Sequence, residues 1–118
     1  MSNIAQAKIF FGSMEENKEA QQERKSPFDG AAVSTAPVCD VDDTLKALNI
    51  AKAASKAAAR SPLSQRILWL EDVAKRLTEE KEAFALMLAK DVAKPIAFSR
   101  IEVERCVETI KITAMELA

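Results

Sequence analysis

The apolar positions of this chain change period near Asp40. Before it, Lys8-Ile9-Phe10-Phe11 has strand character and stops at Gly12, a residue suited to turns. Met14 to Glu23 is polar and rich in Glu, so it reads as a solvated connector, a loop or a helical excursion. Pro27-Phe28-Asp29-Gly30 places Pro, Asp and Gly as a reverse turn requires. It would join a short polar strand near Gln22–Lys25 to a second near Ala31–Val38. Pro37 makes that second strand an edge, or ends it.

After Asp40 the spacing is helical. Asp40 is a good N-cap, because its carboxylate can accept from exposed N–H groups, and Asp42 and Asp43 favour the first turn. The Ala-rich run to Arg60 is expected to bury a narrow stripe containing Leu45 and Leu48. Ser61-Pro62 starts a second helix, with Ser as the cap and Pro in the first turn. Its Leu63, Ile67, Leu70, Ala74 and Leu77 step by three and four and share a face. Thr78-Glu79-Glu80 reads as a third start, leading to Phe84, Met87 and Leu88. Pro95 sets the boundary of a last helix in which Ile96, Val103, Ile110 and Leu117 recur at heptad spacing, with Val107 and Ala114 between. The expected helices are 41–60, 62–77, 79–91 and 96–118. The expected fold is therefore mainly α, with short antiparallel strands at the start: strands and loops over 1–39, a helical array over 40–118.

Ala114-Met115-Glu116-Leu117-Ala118 has no Gly, Asn or Pro to stop the helix. The apolar stripe is still running there, and Ala118 reads as a cut. A stripe of Ile96, Val103, Val107, Ile110 and Leu117 is too long for three partner helices, so self-association is expected.

Composition narrows the chemistry. With 118 residues the chain can bury roughly two-thirds of its unfolded surface. Its 17 basic and 18 acidic residues cancel to −1, which gives no pull toward nucleic acid or anionic membrane. There is no His, so Ser–His and Cys–His nucleophile pairs are excluded. Two isolated glycines cannot build a phosphate-cradling loop. Cys39 and Cys106 stand apart, match no zinc pattern, and read as small buried apolar residues. Met1-Ser2-Asn3-Ile4-Ala5 lacks a basic n-region, no apolar run is long enough to span a membrane, and reduced thiols suit the cytoplasm.

Several short motifs resemble, in order and spacing, the amino-terminal part of NAD(P)-dependent aldehyde dehydrogenases. Ser26-Pro27-Phe28-Asp29-Gly30 resembles an early turn of that family, and Val41-Asp42-Asp43 its next helix start. Arg66-Ile67-Leu68 through Leu77 resembles its Arg-x-x-x-Leu helix, and Asp91-Val92-Ala93-Lys94-Pro95 its Asp-x-Gly-Lys-Pro turn. Glu102-Val103-Glu104-Arg105 is similar to members acting on small polar aldehydes such as lactaldehyde, succinate semialdehyde or glyceraldehyde phosphate. Ala93 departs from the pattern, because the family has Gly where the backbone turns left-handed, and Ala costs roughly 1 kcal/mol there.

The resemblance implies that this segment belongs to the α/β cofactor-binding domain of a much longer chain. It implies aldehyde oxidation through a thiohemiacetal on a cysteine, hydride transfer to nicotinamide, and water activated by an acidic residue. All of those groups, and the adenine pocket, would lie beyond Ala118, so no catalytic or cofactor-binding residue is expected here. The resemblance also implies a structural monovalent cation held by Asp91 with the backbone carbonyl near Arg24; the plainer and favoured reading of Asp91 is a solvated carboxylate at a helix end. Arg105 would meet a substrate carboxylate or phosphate; the plainer reading pairs it with Glu102 or Glu108. Trp69 would pack against the rest of the dehydrogenase. The expected partners are that remainder and further copies, with NAD or NADP bound only by the whole enzyme. The competing reading is a stand-alone helical interaction module.

Overall fold

The structure, a computed structural model, describes residues 4–118. Met1 to Asn3, part of the start read above as free of a basic n-region, lie outside the described residues. Two compact units divide at Arg60–Ser61, so the first helix belongs with the strands.

The first unit begins with β1 (Ala5–Gln6), β2 (Ile9–Phe11), β3 (Met14–Glu16), β4 (Gln21–Lys25) and β5 (Ala32–Pro37), followed by α1 (Val41–Ala59). The order β1-β5-β4 makes β5 central, paired antiparallel to β4 and parallel to β1. The expectation of antiparallel strands therefore holds for β4–β5 and fails for β1. Pro37 ends β5 as expected, but β5 is not an edge. Met14–Glu16 is a strand rather than a connector. It forms a hairpin with β2 across Gly12-Ser13, and Gly12 alone of the two has positive φ, at 65°. A two-residue loop with Gly in first place is the turn that strand twist favours.

Helix α1 starts as read. Asp43 N–H donates to Asp40 Oδ1 and Asp40 N–H to Asp43 Oδ2, each at 2.9 Å, a reciprocal capping box. Leu45 and Leu48 are not its buried stripe; they are 51% and 61% exposed. The hairpin end meets Lys46 and Ile50 instead. Lys46 Nζ stands 4.2 Å from the centre of the buried Phe11 ring, and Ile50 Cγ2 lies 3.7 Å from where a Cβ on Gly12 would be.

The second unit is α2 (Leu63–Glu79), α3 (Lys81–Val92) and α4 (Ile96–Glu116), with no strand. Ser61 does not cap α2: Pro62 holds the N-cap position, and its carbonyl accepts from Gln65 and Arg66. Thr78 caps nothing either. It lies inside α2 and its hydroxyl donates to the Ala74 carbonyl at 2.8 Å, the back-bonding that lets Thr sit within a helix. Helix α4 packs on both α2 and α3. Its buried side is Ser99, Val103, Val107 and Ala114; Ala74 of α2 and Ala85 of α3 are the buried residues of their helices. Of the stripe expected to need an outside partner, Val103 and Val107 are buried within the unit, Ile96 and Ile110 are half-buried, and Leu117 is exposed.

Helix α3 ends at Ala93 with φ 52° and ψ 35°, the left-handed conformation that glycine adopts without penalty. Ala93→Gly is expected to stabilise the second unit by up to about 1 kcal/mol, after the unfolded-state entropy of Gly is set against the relieved strain. Urea unfolding checks this, and an unchanged or lower midpoint contradicts it.

Lys18 lies 2.6 Å from Asp43 Oδ2 and 3.5 Å from Asp40 Oδ2. The Lys18 hydrogen bond, then the Asp40 N–H, hold the Asp43 carboxyl below its ordinary value, with burial opposing. The same hydrogen bond raises Lys18. A lowered carboxyl stabilises above its unfolded pKa and loses that contribution as pH falls through the folded one. A raised amine stabilises below its unfolded pKa and loses that contribution as pH rises through the folded one. The first unit should therefore weaken below about pH 4 and above about pH 10.5. Asp43→Asn should flatten the acid limb of a plot of denaturation midpoint against pH; an unchanged limb means Asp43 does not set it.

Candidate functional site

The left-handed turn at Ala93 and the fixed φ of Pro95 deliver Lys94 beside the start of α4. The Pro95 carbonyl accepts from Ser99 N–H at 3.1 Å and from its hydroxyl at 3.3 Å, and Ser99 is fully buried. Lys94 Nζ then pairs with Glu102. Two residues before Glu102, Arg100 makes a two-pronged contact with Glu82, Nε to Oε2 at 2.9 Å and Nη2 to Oε1 at 2.6 Å. That hydrogen bonding lowers the Glu82 pKa and raises that of Arg100. Lys81 pairs with Glu104. These exposed pairs each contribute little stability, but together they set how α3 meets α4.

The outcome is a shallow groove of about 500 Å3 lined by Lys94, Phe98, Ile101, Glu102 and Arg105. Arg105 is exposed and has no ion pair among the described residues. Neither expected carboxylate holds it: Glu102 is engaged by Lys94, and Glu108 makes no ion pair among the described residues. The groove can offer one fork of N–H donors beside an aromatic ring and an aliphatic side chain. That suits a small anion with an apolar stem. The Lys94–Glu102 contact was not foreseen, since it spans eight residues across a proline turn and no helix-spacing rule reports it.

Asp91 is half-buried in the last turn of α3, in the second unit, and Arg24 lies on β4, in the first. No group of three or more His, Cys, Asp or Glu side chains suited to a metal occurs among the described residues. Cys39 and Cys106 are both exposed, not buried as expected; Cys39 falls in the link before α1, and Cys106 on a side of α4 that α2 and α3 leave open. Gly12 and Gly30 both adopt positive φ, at 65° and 73°. Trp69 is 53% exposed.

The sequence model of the aldehyde dehydrogenase family matches residues 14–118. The chain belongs to that family. It is an amino-terminal aldehyde dehydrogenase segment, and it spans about a fifth of the length of the curated relatives it matches. It is 30% identical over 89 residues to the lactaldehyde dehydrogenase of Methanocaldococcus jannaschii, covering 75% of this chain and 19% of that one. The crystal structure of aldehyde dehydrogenase 21 from Physcomitrella patens, in complex with the reaction product succinate, is 25% identical. It superposes with a TM-score of 0.91 over 96% of this chain and 24% of its own. A glyceraldehyde-3-phosphate dehydrogenase of Methanocaldococcus jannaschii complexed with NADP is 27% identical, with a TM-score of 0.79, over 83% of this chain and 22% of that one.

Proposed function

We propose that this aldehyde dehydrogenase segment belongs to a cytoplasmic enzyme that oxidises an aldehyde to a carboxylic acid with NAD or NADP. In it the segment forms part of the cofactor-binding domain. The observation that carries the reading is the family match across residues 14–118. It is supported by relatives named for lactaldehyde and for glyceraldehyde 3-phosphate, and by one holding succinate. The described residues hold no imidazole and no dinucleotide cradle, so the segment alone is inert. Purified and offered lactaldehyde, succinate semialdehyde or glyceraldehyde 3-phosphate with NAD or NADP, it is expected to form no reduced nicotinamide. Turnover that disappears on mutating a residue of this chain contradicts the proposal.

Within that enzyme Arg105 meets the carboxylate or phosphate of the substrate. The support is its exposed guanidinium in the groove that Phe98 and Ile101 also line. In the whole dehydrogenase Arg105→Ala should raise KM roughly tenfold for an anionic aldehyde and leave a neutral one unchanged. An equal change for both assigns Arg105 no part in recognition. In the whole enzyme Asp91 and the backbone carbonyl near Arg24 hold a structural monovalent cation.

A further inference from the structure

Arg105 stands on α4 with a carboxylate three residues to either side, Glu102 and Glu108. Helix spacing brings such residues together, so an exposed Arg105 would by itself pair with one of them. Among the described residues it pairs with neither. Lysines from outside the helix draw off its neighbours: Lys94 meets Glu102, and Lys81 meets Glu104. Glu108 lines a different groove, together with Lys81, Lys111 and Val107.

The Glu102 contact bears on the substrate groove, because Lys94, Glu102 and Arg105 all line it. The backbone of Lys94 is constrained on both sides. Ala93 precedes it in the left-handed conformation, φ 52°, and Pro95 follows with φ −54°. The lysine therefore reaches α4 from the turn, eight residues before its partner, and not from the helix itself. Its ammonium is neutralised by Glu102, which leaves the Arg105 guanidinium as the uncompensated cation among the lining residues.

We infer that Lys94 is a positioning residue for anion recognition: by holding Glu102 it keeps that carboxylate off Arg105, and so keeps the guanidinium fork open to the carboxylate or phosphate of an aldehyde substrate. This role rests on the part given to Arg105 above. Without Lys94, Glu102 is free to take the fork. The substrate's anion must then displace a carboxylate tethered to the same helix. Lys94 acts through Glu102 and does not itself bind the anion.

In the whole dehydrogenase the quantity to follow is the KM for succinate semialdehyde, an anionic aldehyde, divided by that for lactaldehyde, a neutral one. Lys94→Met should raise this ratio roughly threefold, the scale of an exposed ion pair, with the ratio of kcat values constant. Lys94→Arg can still hold Glu102 and should keep the ratio near its original value. Lys94→Met combined with Glu102→Gln should return it to near that value, because no carboxylate is left to occupy the fork. A ratio that stays raised in the double variant means that Lys94 meets the anion directly, and overturns the inference. So does a ratio unmoved by Lys94→Met. Arg105→Ala separates the two readings. If it raises the ratio and Lys94→Met does not, the positioning role alone falls; if it leaves the ratio unchanged, recognition by Arg105 falls and the positioning role with it.

Discussion

The second unit depends on how closely α4 can lie against α2 and α3. The buried residues on the helices flanking α4 are alanines, Ala74 and Ala85, and α4 itself buries Ser99 and Ala114 beside Val103 and Val107. Small side chains bring helix backbones together, and interiors packed to crystal-like density tolerate little change of volume. Larger apolar residues such as Trp69, Met87 and Phe98 remain half or more exposed. Burial in this unit therefore runs opposite to residue size. The close contact is made by small groups, and the bulk of the apolar surface faces outward.

The first unit is held by a different device. Its strands are short and polar, and a two-stranded hairpin is marginal alone. Phe11, beneath the Lys46 ammonium, fixes β2 and β3 to α1, and Lys46 also pairs with Glu16. Lys18 joins the stretch after β3 to the capping box of α1. The helix start is thus satisfied twice, by the Asp40–Asp43 exchange and by a lysine brought from outside the helix. This joins a local capping signal to the placement of the strands.

The helices were legible because their apolar residues repeat at three and four and because Asp40 and Pro95 punctuate them. The strands were only partly so. The β4–β5 pair was announced by Pro27–Gly30, but β1 has two residues and pairs with β5 far along the chain. The hairpin carried a usable sign in Gly12-Ser13; the Glu residues of Met14–Glu16 hid it, since a strand exposed on one side need not look apolar. Ser61 and Thr78 misled because their types suit a cap, while prolines and back-bonding settled the helix starts. Of the site residues, Arg105 was visible as a type on a helix. Its freedom from Glu102 depends on where Lys94 lands after a left-handed turn, and that is a tertiary fact. Burial of Cys39 and Cys106 was inferred from a residue average, which says nothing about which helix side a neighbour covers.

Helix α4 is apolar on two sides: Val103 and Val107 are covered by α2 and α3, while Phe98, Ile101, Ile112 and Met115 are exposed. The most direct measurement compares Val107→Asp with Ile101→Asp by thermal unfolding of the helical signal. A charge at Val107 enters the contact with α2 and α3 and should abolish the cooperative transition of the second unit. A charge at Ile101 enters the open face and should leave that transition in place. Equal loss in both variants, or equal survival, would contradict the assignment of the two faces.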